Sequence, residues 1–376
     1  MADIHSLPTE LIDLILSFVG PNSPPTFDTQ TLRELPSHAI SSSRTVDLKN
    51  TSRACRRFRE LSRKYLFDYC RYELRDQDRF LAFLCDQNLA AHVKSVAISV
   101  RSIFPGTEKA LWWNTLFEVL NPEVVTIVAP PYMIANLAHC SLEDSHKWAF
   151  EMPLQTMQFR QSPSSSSSVR LSFHPPEGDN TLFSSRPWTE ILFNEGSSLR
   201  AYSNYEYYLL RVPSIMNHWG SVDPLQRTEL PYPVDAISRL TSFHYTAVFP
   251  FYNHTNLVLK VVRNMTNLRH LSFQLAPTPE SDIFQKELQT STLDPNDPWM
   301  ELHTSYSLIA HSVRYLGVQG KLVEFLTLDY KLAPLKANVF NTFQLTLMSR
   351  WRHEGDGLWV KRPEPVPLDS SGDESV

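Results

Sequence analysis

Apolar residues recur with two different periods along this chain, and the change falls near His92. Before it the spacing is helical. The clearest segment runs from Leu7 to Val19 (LPTELIDLILSFV). Pro8 suits a first helical turn, where its missing N–H costs nothing, and Glu10 lies near the positive end of the helix dipole. At about 100° per residue, Thr9, Glu10, Asp13 and Ser17 share an arc of roughly 100°, and eight apolar side chains fill about the next 200°. A stripe of about 100° suffices to reach one core. This helix therefore has apolar surface to spare. Either it is central in a bundle, or half its face is kept for a second protein.

Gly20 and Pro21 stop that helix, and residues 20–45, with Pro24-Pro25 and Ser41-Ser42-Ser43, read as a loop insertion. A second helical stretch follows from Val46 to Phe67, with Asp47 as its expected N-cap. Cys55, Phe58, Leu61, Tyr65 and Leu66 share one face of it. Seven basic residues against one acid between Lys49 and Lys64 cover much of the rest. No aromatic residues interleave that basic face to stack on bases, so it predicts a solvated or acidic-partner face rather than a nucleic-acid site. From 73 to 92, Phe80, Leu81, Phe83, Leu84 and Leu89 keep the helical period.

After His92 short alternating stretches recur: Val93-x-x-Val96-x-Ile98, Leu154-x-x-Met157-x-Phe159, Leu240-x-x-Phe243-x-Tyr245, Leu268-x-x-Leu271-x-Phe273, Val313-x-x-Leu316-x-Val318 and Val323-x-x-Leu326-x-Leu328. Glu123 to Val128 reads as a further strand, and Leu199-x-x-Tyr202-x-Asn204 as a weaker one. The spacing is what a leucine-rich repeat requires, with the last two apolar residues pointing inward from a short parallel strand. The intervals are uneven, so the expectation is a degenerate solenoid. Residues 162–168 form a serine-rich loop tip, and 363–376 an acidic disordered tail.

The chain has 376 residues, 42 % of them apolar and 20 % charged, enough to bury a large core as one large domain or two to three ordinary ones. A net charge of −5 predicts neither nucleic-acid nor membrane-surface binding. No apolar run approaches the ~18 residues of a membrane span. Cys55, Cys70, Cys85 and Cys140 lack metal-ligand or CxxC spacing and read as reduced thiols of a cytoplasmic or nuclear protein. No nucleophile elbow, zinc-binding His-Glu-x-x-His or phosphate-binding glycine loop is present. No catalytic residue, metal or cofactor is expected.

Leu7-Pro8-Thr9-Glu10-Leu11, with Ile15 and Phe18, followed by Asp47-Leu48-Lys49-Asn50 and then Cys55-Arg56-Arg57-Phe58 and Leu61, resembles the F-box. The resemblance covers residues 6 to about 67, and the 20–45 loop is its main departure. It implies a three-helix module that docks a Skp-type adaptor and, through it, a cullin of a ubiquitin ligase. The residues it assigns to adaptor binding are Leu7, Pro8, Leu11, Ile15, Phe18, Leu48, Cys55 and Phe58. The expected architecture is α/β: an F-box over 1–72, a helical linker over 73–92 and an irregular leucine-rich-repeat-like solenoid over 93–362. In such a solenoid, residues between the inward positions face the concave surface. Gln158, Arg160, Tyr205, His244, Ser272 and Gln274 are therefore the expected contacts to a protein substrate. The alternatives are an F-box scaffold acting without a cullin, and an enzyme whose carboxyl-terminal site carries no readable motif.

Overall fold

The computed structural model describes residues 7–19, 36, 46–100, 111–137, 154–161, 181–210, 214–216 and 234–363. Apart from Pro36 and Pro363, the 20–45 loop, the 162–168 tip and the acidic tail lie outside them, as does Cys140.

Three helices come first: α1 (Thr9–Val19), α2 (Val46–Ala54) and α3 (Arg56–Phe67). The stretch read as one helix from Val46 breaks at Cys55, whose backbone is extended (φ −159°, ψ 170°). Its thiol caps α3 by accepting the Phe58 N–H at 3.4 Å, using sulfur as a weak acceptor where serine would ordinarily serve. Ile12, Leu16 and Leu48 form a small core of their own. Leu7, Val19, Phe58, Leu61, Tyr65 and Leu66 close around it.

The rest is a mixed α/β domain on one ten-stranded sheet. Its strands are β1 (Tyr69–Glu73), β2 (Ser95–Ser99), β3 (Val124–Ala129), β4 (Gln155–Arg160), β5 (Glu190–Ser197), β6 (Ser242–Val248), β7 (His270–Gln274), β8 (Glu324–Thr327), β9 (Trp351–Gly355) and β10 (Leu358–Lys361). Between them lie α4 (Gln77–Asp86), α5 (Trp112–Val119), α6 (Pro131–Leu137), α7 (Tyr205–Leu210), α8 (Val234–Ser238), α9 (Tyr252–Arg263), α10 (Ile283–Thr290), α11 (Asp297–Gln319) and α12 (Ala333–Leu347). The first eight strands lie side by side in chain order. The sheet ends in a hairpin, ordered β8-β10-β9.

Because strand side chains alternate between faces, the register sorts the sheet into two surfaces. Val96, Val125, Phe159, Ile191, Phe243, Leu271, Phe325 and Trp359 are neighbours in one row. None is more than 2 % exposed. They join α9 and α11 in one continuous core through Val258, Val262, Ile309 and Val313. Full burial of such a side chain is worth about 1.5–3 kcal/mol. The opposite face carries the row Ala97, Thr126, Gln158, Leu192, His244 and Ser272.

This architecture corrects the solenoid expectation. β4 pairs antiparallel with both β3 and β5, so the parallel array is interrupted. Val313, Leu316 and Val318 belong to the 23-residue α11, and Leu199 to Asn204 form a 3-10 helix. In β8 the inward residues are Phe325 and Thr327, one position out of phase with the Val323/Leu326/Leu328 reading, because Phe325 pairs in register with Leu271. The 73–92 segment holds the end of β1 and the helix α4. Leu81 and Leu84 of α4 lie in the core of the sheet domain.

The junction between the two parts is short. α3 runs into β1 with only Asp68 between them. The Asp68 carbonyl accepts the N–H groups of Lys94 and Ser95, both at 2.9 Å, and its carboxylate lies 3.2 Å from the Lys94 ammonium. Phe67 meets Phe83 of α4 with ring centroids 6.2 Å apart.

Candidate functional site

In α1 the periodicity divides the apolar residues between two surfaces. Ile12 and Leu16, one turn apart, point into the module core. Leu11, Leu14, Ile15 and Phe18 follow the i, i+3, i+4, i+7 pattern of one helix face. They stand 47, 53, 45 and 69 % exposed. At the start of α2, Val46 is also exposed. Singly exposed apolar residues are ordinary, but an ordered stripe of four makes this face the candidate interaction surface.

The polar side of α1 fixes this face in place. Asp13 receives the Lys64 ammonium at 2.6 Å and the Tyr65 hydroxyl at 3.2 Å. The Asp13 hydrogen bond outweighs partial desolvation and raises the pKa of Lys64 above its ordinary value. The Arg57 guanidinium donates to the Leu7 carbonyl at 2.8 Å and to the Thr9 hydroxyl at 3.0 Å. All three partners come from α3, so α1 is clamped along one side and open along the other.

Of the adaptor contacts expected from the sequence, Pro8, Leu11, Ile15 and Phe18 are solvent-exposed. Leu7 and Phe58 are half-buried against the module core, and Leu48 is wholly inside it. Leu48 therefore supports the surface and, closed to solvent, forms no part of it. Cys55 acts locally as a cap. Leu14 was missing from the expected set, although the helical spacing that selects Leu11, Ile15 and Phe18 selects it equally.

The expected substrate contacts fare differently. Gln158, Arg160, His244, Ser272 and Gln274 do share one sheet face, because each lies between inward-pointing residues of its strand. Gln158, Ser272 and Gln274, however, are only 2, 2 and 4 % exposed. Closed to solvent, these three offer no contact to a substrate in this conformation. Their polar groups are turned to neighbours instead. Gln158 donates to the Thr126 hydroxyl at 2.8 Å, and Gln274 to the Ala276 carbonyl at 3.1 Å. Arg160 and His244 remain partly accessible around Glu190, at 3.7 and 3.5 Å from its carboxylate. His244 Nδ1 lies 2.7 Å from the Ser272 hydroxyl. Burial works against ionisation of Glu190, but the His244 hydrogen bond and the charge of Arg160 outweigh it and hold the carboxyl below its ordinary pKa. Tyr205 is not on this face. Its hydroxyl donates to Glu301 at 2.5 Å, and Glu301 also accepts the N–H of Tyr252 at the start of α9.

One further polar cluster carried no sequence signal. Glu195 is buried at the end of β5 and accepts from Ser214 at 2.7 Å and from the Tyr245 hydroxyl. His254 Nε2 lies 2.7 Å from the same carboxylate. Three partners satisfy the buried carboxylate itself, while the other ring nitrogen of His254, Nδ1, is buried with no hydrogen-bond partner among the described residues. Among the described residues no group of three or more His, Cys, Asp or Glu side chains could hold a metal ion, and no helix is long and apolar enough to cross a membrane.

No protein-family model matches the chain, and no curated protein or solved structure is detectably similar to it.

Proposed function

We propose that this chain is an F-box substrate adaptor of a Skp–cullin–F-box ubiquitin ligase. The observation that carries the reading is the open face of Leu11, Leu14, Ile15 and Phe18. It lies on a three-helix module whose sequence resembles the F-box. Two apolar surfaces on one short helix are expected where one serves folding and the other a partner. In this reading the Skp-type adaptor covers that face and brings the cullin with it. The sheet domain holds the protein substrate. The chain itself makes and breaks no bond. It raises the local concentration of substrate near the ubiquitin-bearing enzyme, which makes transfer effectively unimolecular. The short α3–β1 junction at Asp68 suits that task, because a fixed orientation preserves the reach between the two ends. Such a role belongs to the cytoplasm or nucleus.

The test is affinity capture of the tagged full chain mixed with purified Skp-type adaptor and cullin. Retention of both supports the ligase adaptor. Retention of the Skp-type adaptor without the cullin converts the reading to a scaffold. Retention of neither refutes it.

A further inference from the structure

The helices that cover the sheet have an outer surface of their own. β7, β8 and β9 run the same way, so α11 and α12, which each return against them, are parallel to one another. They lie side by side, with Trp299 and Tyr306 of α11 facing Leu335 and Val339 of α12. Continued toward the C-terminal ends, this alignment brings Leu345 and Met348 alongside Ala310 to Arg314. α9 flanks the other side of α11. There the Arg263 guanidinium donates to the Ser312 hydroxyl at 3.4 Å and lies over the Tyr315 ring, 5.6 Å from its centroid.

Four large apolar side chains stand open on this surface. Tyr315 and Val318 of α11 and Leu345 and Met348 at the end of α12 are 52, 45, 78 and 57 % exposed. Each pair is spaced i, i+3, as neighbours on one helix face. Leu345 is the most exposed large hydrophobic among the described residues. Packing does not call for it, since α12 already turns Leu335, Val339, Phe343 and Leu347 inward. The two pairs flank the seam between parallel helices, the setting in which the apolar side of a third helix packs.

The charge around them has one sign. Lys260 and Arg263 of α9 and Arg314 of α11 are exposed. α9 and α12 contain no acidic residue, and α11 has none after Glu301. Lys260 and Arg263 suit the last turn of α9, where cations meet the negative end of the helix dipole. Arg314 has no such reason, because it precedes the last turn of α11. Among the described residues its guanidinium has no hydrogen-bond or ion-pair partner. An arginine beside open apolar side chains, with no carboxylate on the same helices nearby, complements an anionic group held next to apolar ones.

Charge also sorts the occupants. A second copy of the chain is disfavoured, since a two-fold contact sets the same cations against each other. A bilayer with anionic lipids would meet a whole side of a molecule whose net charge is −5, whereas a peptide segment meets the patch alone. We propose that the outer surface of α11 and α12 binds an acidic amphipathic helix of the protein held by the sheet domain. Its apolar side covers Val318 and Leu345, and its carboxylates meet Arg314 and Lys260. Naming that protein a ubiquitination substrate rests on the adaptor reading. Binding of an acidic amphipathic helix does not.

The experiment is fluorescence anisotropy with the full chain titrated into a fluorescein-labelled amphipathic helical peptide of glutamate, leucine and alanine. Two control peptides replace every glutamate by lysine or every leucine by alanine. The first peptide should bind saturably, and each control should bind at least about tenfold more weakly. Arg314→Glu, and separately Leu345→Gln/Met348→Gln, should each weaken the first peptide by about tenfold at unchanged melting temperature. Absence of saturable binding, equal binding of the lysine peptide, or equal binding by both folded variants overturns the proposal. Co-sedimentation of the chain with phosphatidylserine-containing vesicles, lost in Arg314→Glu while the peptide fails to bind, overturns it in favour of a membrane surface. Retention of the Skp-type adaptor, measured on the same preparations, separates its failure from failure of the adaptor reading.

Discussion

Leu14→Ala/Phe18→Ala should separate docking from folding. Both side chains belong to the open face of α1, 53 and 69 % exposed, so truncation leaves no cavity. The expected change in stability is within about 0.5 kcal/mol. Leu16→Ala on the same helix is the contrast, since Leu16 is 1 % exposed and packed with Ile12 and Leu48. It should cost about 2–5 kcal/mol and unfold the module first. In a complex the order of effects reverses. Two apolar residues near the centre of an interface are worth about 1–2 kcal/mol each, or roughly 2–4 kcal/mol together. That weakens adaptor binding by about thirty-fold to a thousand-fold. Isothermal titration calorimetry against purified Skp-type adaptor, with thermal melting followed by circular dichroism, reads both quantities. Unchanged affinity in the double variant refutes the docking face. A lowered melting temperature shows instead that these residues serve the fold.

Four other outcomes follow from the geometry. Glu195→Ala strands Ser214, Tyr245 and His254 around a lost buried carboxylate and should cost about 3–5 kcal/mol in urea denaturation; a loss below about 1 kcal/mol contradicts the network. Gly357→Ala should cost more than Gly355→Ala, although both have positive φ (+82° and +102°), because only at Gly357 would the new Cβ meet the Thr327 carbonyl oxygen; equal melting temperatures contradict this. Glu190 has a lowered folded pKa, so its stabilisation is complete above the ordinary value of 4.5 and is lost as pH falls through the folded value. His244→Ala should reduce the loss of urea midpoint over that acid range, and an unchanged slope rules out the coupling. Burial pushes the Cys70 thiol up to about 12, while Cys85 is exposed, so a thiol reagent at pH 8 should modify Cys85 well before Cys70, as peptide mapping would show.

The strands most legible in the sequence were those with inward pairs of large apolar residues. Met157/Phe159, Phe243/Tyr245 and Leu271/Phe273 identify β4, β6 and β7 and put Gln158, His244 and Ser272 on the opposite face. Direction was not legible, because alternation is the same for a parallel strand and for the antiparallel β4. The spacing also misled at Val313 and Leu316, since an i, i+3 step suits a helix equally, and α11 takes it. β1 and β9 carry charged or short sequences (YCRYE, WRHEG) and gave no apolar signal. In α1 the excess of apolar positions was plain, but which half would be covered depended on Leu48 arriving from α2 across the 20–45 insertion. The Glu195–His254 contact spans 59 residues, and the outer patch draws Val318 and Leu345 from different helices. Neither has a local pattern to read.

The most direct measurement is the mass of the assembly formed when the full chain, the Skp-type adaptor and the cullin are mixed in equal amounts, by size-exclusion chromatography with light scattering. One ternary complex that dissociates when Leu14→Ala/Phe18→Ala replaces the native chain is the expected result. Separate elution of the native, folded chain from the adaptor would contradict the F-box reading and leave the open face of α1 to another partner.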